Sequence, residues 1–177
     1  MRSWKSQLQQ MIPPGCRVAV LGIGQVLCGD DAAGVLAARH LRRLVGVGDR
    51  WLIVEAGLAP ENFVGQVCRM AAEQVILVDA AYMGDQPGEI RVLDWRLVDE
   101  MSASTHALPI HLLGEYLVME TGCALTLVGI QAGDTRFGQR SSPVIRRAAV
   151  QVARGLAQVL GVCGERIGLG TDGMSGR

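Results

Sequence analysis

The chain has 177 residues, with 17 Lys plus Arg against 17 Asp plus Glu, and 49% of it is hydrophobic. A domain typically holds about 100–200 residues, and a chain of this length buries on the order of 70% of its extended surface, so one self-sufficient domain is expected without disulfide or metal staples. Zero net charge and an isoelectric point near 6.8 lack the basic footprint of a nucleic-acid binder, and no run of about 18 apolar residues is present to form a spanning helix.

Residues 1–16 begin MRSWKSQLQQMIPPG, a few positive charges with no apolar run behind them, and read as an N-terminal arm rather than a signal peptide or lipid anchor. From Arg17 the run RVAVLGIG suits a buried strand entering a turn. Gly29-Asp30-Asp31 then signals a helix start, with Asp as a good N-cap, and AAGVLAARHLRRLVG carries Val35, Leu36, Leu41 and Leu44 at near-helical spacing. Arg39, Arg42 and Arg43 fall toward its C-terminal end, where cations complement the helix dipole.

Trp51 to Gly57 reads as a second strand, and Pro60 opens a short helix, ENFVGQVCRM. QVILVDA, Gln74 to Ala80, is a third strand ending in an acid. GEIRVLD, Gly88 to Asp94, is a fourth after the turn Asp85-Gln86-Pro87-Gly88. Pro109 opens a helix closed by Gly122, Ala124 to Ile130 is a fifth strand, and Ser142-Pro143 begins a last helix reaching about Leu160, with Val144, Ala148, Val152, Leu156 and Val159 along one face. The glycine-rich stretch 161–177 reads as a flexible tail. The expected architecture is a single α/β domain over 17–160, a three-layer sandwich with a mixed, mainly parallel twisted sheet flanked by helices.

In such sheets function gathers beyond the carboxyl ends of the strands. The loop after the first strand holds Asp30 and Asp31, the third strand ends at Asp79, and His106 lies between the fourth strand and the next helix, so three ligand-type groups can converge on one rim. Each also has an ordinary reading. Adjacent aspartates can cap a helix and complement its dipole, and a strand-end acid can accept hydrogen bonds from loop N–H groups. His40 lies among arginines and reads as solvated, and His111 one turn before Glu115 reads as a surface pair. His106 differs, standing in the Ser/Thr-rich stretch SASTHALP. Two carboxylates and an imidazole form a set that suits a first-row divalent ion.

Other chemistries fit less well. GIGQVL resembles a dinucleotide fingerprint with Glu55 ending the next strand, but Leu27 occupies the third glycine position, where it would block close packing of helix on strand, and Asp30 and Asp31 would repel a pyrophosphate. No G-x-S-x-G elbow is present, and Ser102 or Ser104 with His106 as base lacks the strand-to-helix turn. A Cys28 thiolate would be disfavoured by the two nearby aspartates. The five cysteines form no C-x-x-C pair and point to a reducing cytoplasm.

Taken in order, GIGQVLCGDDAAG, EAGLAPEN, VILVDAAYMGDQPGEI, STHALP and LVGIQ resemble the hydrogenase maturation proteases, which trim the C-terminal extension of the [NiFe]-hydrogenase large subunit. VDAAYMGDQPGEI and APEN look most like the subgroup serving formate-linked, hydrogen-evolving hydrogenases. The resemblance implies an endopeptidase that recognises nickel already installed in its precursor substrate. It places the nickel contacts on Asp31, Asp79 and His106, with Asp30 as helix cap or support behind them and Gly24 and Glu61 shaping the cleft. The nickel would come with the precursor, and the protease is expected to act as a cytoplasmic monomer, with neither nucleic acid nor membrane insertion involved. The chain departs from the family pattern at Gln25, Ala32 and Ala132, where asparagine, glycine and proline are usual. A metalloprotein-binding chaperone that cuts no bond, and a nucleotide-binding α/β enzyme, are the alternative readings.

Overall fold

A computed structural model describes residues 3–98 and 108–161. The elements run α1 (Trp4–Met11), β1 (Val18–Ile23), a 3-10 turn (Gly29–Ala32), α2 (Ala33–Val45), β2 (Trp51–Gly57), a second 3-10 turn (Pro60–Phe63), α3 (Val64–Met70), β3 (Gln74–Ala81), β4 (Ile90–Leu93), α4 (Ile110–Thr121), β5 (Ala124–Gln131) and α5 (Pro143–Val159). The strands form one sheet in the order β2-β1-β3-β5-β4, all parallel except β4, which lies antiparallel on β5. Among the described residues no helix is long and apolar enough to cross a membrane.

Side-chain alternation sorts the central strands into two cores. Val18, Val20, Ile76, Val78, Val128 and Ile130 point to the side covered by α1, α2 and α5. Ala19, Leu21, Ile23, Val75, Leu77 and Leu127 point to the side covered by α3 and α4. Every residue of β1 and β3 is therefore buried, which is why these strands read as unbroken apolar runs rather than alternating ones. The three-layer sandwich expected from the sequence is the architecture found.

The element ends follow local chemistry. Ser142 caps α5, its hydroxyl accepting the Ile145 N–H, and Pro143 occupies the first turn, where its missing donor costs nothing. Gly122 ends α4 in the left-handed region at φ +67. Two expectations fail at α2. No side chain caps either the 3-10 turn or α2, so neither aspartate is an N-cap. Leu27 does not stand between helix and strand but is exposed, and the close packing is supplied by Gly22 and Gly34.

A Cβ on Gly22 would lie 2.2 Å from the Gly34 carbonyl oxygen, and one on Gly34 would lie 2.0 Å from that of Val78. Backbone meets backbone here. The buried face of α2 is accordingly built from Ala33, Gly34, Val35, Ala37, Ala38 and Leu41, while Leu44, expected on that face, is exposed.

Residues 1–16, set apart as an arm by the sequence reading, contain α1, whose Leu8 is wholly buried and whose Trp4 ring fills the space a side chain on Gly155 would need. Ser3 caps it, accepting the Ser6 N–H. His40 also departs from expectation. It is half-buried on α2, and burial, followed by the nearby Arg43 and Arg39, lowers its pKa from 6.5.

Gly34→Ala should destabilise the protein by at least about 2 kcal/mol because neither contacting backbone can retreat, as read by urea unfolding. Gly65→Ala provides the contrast. That residue lies in α3, where a Cβ would meet only the Arg69 guanidinium at 3.5 Å, and the substitution should stabilise by about 0.4–1 kcal/mol. His40 should titrate by NMR below 6.5. Its neutral form is the one the fold favours, so its contribution is intact above the unfolded value and is lost as pH falls through the lower folded value.

Candidate functional site

The loops leaving the carboxyl ends of β1, β3 and β5 build one rim, and each of the two acids predicted for metal contact is placed there by its strand. Asp79, third from the end of β3, is 3% exposed, and its Oδ1 accepts the Ala80 N–H at 2.8 Å. Asp31 lies in the 3-10 turn that packs against β3 and is 1% exposed. Its Oδ2 accepts the Gln25 N–H at 2.7 Å. Because that donor is backbone, the bond does not depend on which side chain stands at position 25.

Gly24 sets the position of Asp31. Its φ is +126, its N–H donates to the Gly57 carbonyl at 3.1 Å, and a Cβ would stand 1.9 Å from the Asp31 carbonyl oxygen. Any side chain there would push the acid-bearing turn away from the strand ends. Ala32, by contrast, has φ −66 and ψ −7, an ordinary right-handed conformation, so its departure from glycine imposes no strain.

Asp79 also borders a small pocket on the α3/α4 side, walled by Ala81, Leu93, Val98, Ile110 and Leu127. Val98 and Leu108 are the last and first described residues on either side of 99–107, the segment that carries His106. His106 itself, with Ser102 and Ser104, lies outside the described residues. Among the described residues no three His, Cys, Asp or Glu side chains cluster in a metal-holding arrangement.

Asp30 does something other than cap. Its carboxylate, 2% exposed, accepts the N–H groups of Gly133 and Asp134 at 3.1 Å on one oxygen and that of Ser142 at 2.7 Å on the other. Its own N–H donates to the Asp134 carbonyl, Gly29 donates to Gln139, and Gly138 donates to Leu27. The β1 loop, the β5 loop and the start of α5 are thereby one hydrogen-bonded unit. A buried carboxylate holding three backbone donors is satisfied without a counter-cation.

Gln131, quoted in the LVGIQ motif without a role, performs the same task on the other side. Its Oε1 accepts the N–H groups of Met83 at 2.6 Å and Asp85 at 3.2 Å, and its Nε2 donates to the Ala132 carbonyl. The loop that follows Asp79 is thus tied to β5. Ala132 donates its N–H to Ala81 at 3.0 Å, a bond proline could not make. The signal for Gln131 was a polar residue ending an apolar strand, which raises the same question of partners that drew attention to Asp79.

Glu61 sits half-buried in the turn after β2, and its Oε2 is enclosed with no hydrogen bond among the described residues. Glu55, the acid a nucleotide-binding reading would assign to ribose, is held instead by Arg39 at 2.8 Å and Arg42 at 2.5 Å. Cys28 and the other described cysteines are free thiols.

Asp30→Asn should cost about 2–3 kcal/mol, since one carboxylate oxygen becomes an amide that faces backbone donors. Urea unfolding measures the loss, and amide exchange should quicken at Gly133, Asp134 and Ser142.

Residues 35–161 match the family model HycI: Hydrogenase maturation protease. The hydrogenase 3 maturation protease of Escherichia coli K12 is 34% identical over 113 residues, covering 63% of this chain and 70% of that protein. The crystal structure of a [NiFe] hydrogenase maturation protease HycI from Thermococcus kodakarensis KOD1 superposes with a TM-score of 0.79 at 32% identity, over 88% of this chain and 99% of that one. The solution structure of the endopeptidase HycI from Escherichia coli gives a TM-score of 0.69 at 29% identity, over 82% of this chain and 90% of that one. With the family model covering more than half its length and the same sheet beneath it, this chain belongs to the hydrogenase maturation proteases.

Proposed function

We propose that this peptidase removes the C-terminal extension of a [NiFe]-hydrogenase large-subunit precursor that already carries nickel, and that Asp31, Asp79 and His106 contact that nickel. The observation that carries the reading is the burial of two carboxylates, Asp31 and Asp79, at the carboxyl end of neighbouring strands. Buried charges of one sign are costly when close to each other, and a divalent cation relieves them. An imidazole with two carboxylates gives an N/O set that first-row divalent ions accept.

Nickel enters this account as part of the substrate. The precursor's metal is what the two acids recognise, so a precursor without nickel lacks that contact and binds poorly, a discrimination based on a missing partner. Gly24 keeps Asp31 at the strand ends, Asp30 holds the surrounding loops, and Glu61 contributes to the cleft wall. The motifs VDAAYMGDQPGEI and APEN support a partner from the hydrogen-evolving, formate-linked group. The protein is proposed to act as a monomer in the cytoplasm, a location in keeping with five cysteines that form no C-x-x-C pair.

Intact mass of the large-subunit precursor, with and without nickel, provides the test. Wild-type protein should release a C-terminal fragment only from the nickel-loaded form. Asp31→Asn, Asp79→Asn and His106→Ala should each slow release by at least about a hundredfold, as expected when a metal contact is removed. A precursor that binds but never loses mass would replace the proteolytic reading with that of a metalloprotein-binding chaperone.

A further inference from the structure

The rim around the acids carries apolar side chains in full view of solvent. Val26 and Leu27, on the β1 loop, are 47% and 55% exposed, and Phe137, on the β5 loop, is 76% exposed. Tyr82 stands exposed just beyond β3, its hydroxyl hydrogen-bonded to that of Thr135 at 2.8 Å. The chain contains only two phenylalanines and two tyrosines, and one of each lies on this rim.

These residues are not loose loop tips. The Leu27 carbonyl accepts the Gly138 N–H at 2.8 Å, which brings Leu27 beside Phe137. The Asp30 carboxylate fixes the same two loops to the start of α5. A rigid surface of exposed apolar groups loses little conformational freedom when it is covered, and such patches mark interaction sites. The patch is carried in part by the segments that follow β1 and β3, the strands whose carboxyl ends lie at the acids. Leu27 lies four residues before Asp31 and Tyr82 three after Asp79. Since the protein is a peptidase, whatever approaches those acids is part of a polypeptide.

We propose that Val26, Leu27, Tyr82 and Phe137 form the docking surface for an apolar stretch of the substrate polypeptide, seating it across the β1 and β5 loops so that the chain runs on to Asp31 and Asp79. The inference rests on the proteolytic reading for its substrate. It adds the surface that grips the polypeptide independently of the metal. Arg136 precedes Phe137 on the same loop, and its guanidinium is ion-paired to Asp134 at 2.6 Å.

The test compares wild type with the double variant Leu27→Ser, Phe137→Ser, both side chains being exposed, and with the control Val47→Ser, a fully exposed valine at the opposite end of the sheet. Circular dichroism checks that all three fold alike. Binding of the nickel-loaded precursor and its cleavage are measured separately. The double variant should raise both Kd and KM by more than about tenfold, each lost anchor being worth about that factor, with kcat within about twofold of wild type and the control unchanged.

Unaltered Kd and KM in the double variant would overturn the docking surface while leaving the protease intact. If wild type binds the precursor without cutting it, the proteolytic reading fails and Kd alone decides the surface. A wild type that neither binds nor cuts overturns both. Sedimentation in which wild type is a dimer and the double variant a monomer would assign the patch to a second copy of this chain and overturn the proposal.

Discussion

The contact on which the rest depends is the meeting of backbones at Gly22, Gly34 and Val78. A helix normally stands off a sheet by the thickness of two side chains, but here α2 rests directly on β1 and against β3. That closeness pulls the turn before α2 down onto the strand ends and buries Asp31 where β3 delivers Asp79. Had either glycine carried a methyl group, the turn would ride outward and the two acids would no longer share an enclosed rim. The site is thus set by steric exclusion first, with electrostatics acting on what sterics have placed.

Around that contact the neighbouring aspartates divide two tasks that look identical in sequence. Asp30 uses both its oxygens on backbone donors from Gly133, Asp134 and Ser142. Asp31, in the same turn, holds the Gln25 N–H instead. One acid stiffens the loops, and the other is assigned the chemistry proposed here. Gln131 mirrors Asp30 from β5, holding the loop beyond Asp79 through Met83 and Asp85. Neutral and anionic side chains therefore perform the same structural task, each matched to backbone N–H groups that would otherwise be buried without partners.

Much of this fold could be read from the chain because its strands and helices obey strong local rules. QVILVDA is a strand buried on both sides, Gly122 ends a helix in the left-handed region, and Ser142-Pro143 starts one. What escaped the reading was long-range. The packing of Gly34 on Val78 depends on a neighbour 44 positions away, and nothing in AAGVLAARH distinguishes a contact glycine from a merely tolerated one. Asp30 looked like a cap because adjacent residues alone were in view, whereas its partners lie more than 100 residues downstream. α1 was missed because its evidence is small, an eight-residue polar segment whose burial rests on Trp4 and Leu8 meeting α5. The placement of Asp31 and Asp79 at one rim followed from topology, since parallel strands deliver their carboxyl ends to the same side.

The bonds from Asp30 to Gly133, Asp134 and Ser142 span 103, 104 and 112 residues. Contacts of such separation are late events, since the entropy of closing so long a loop must be met before they return anything. During synthesis the β1 loop therefore waits, incompletely held, until β5 and the start of α5 have left the ribosome. The three donors that Asp30 holds all come from the last 45 residues of the chain, so the rim can be completed only after β5 and the start of α5 have been made.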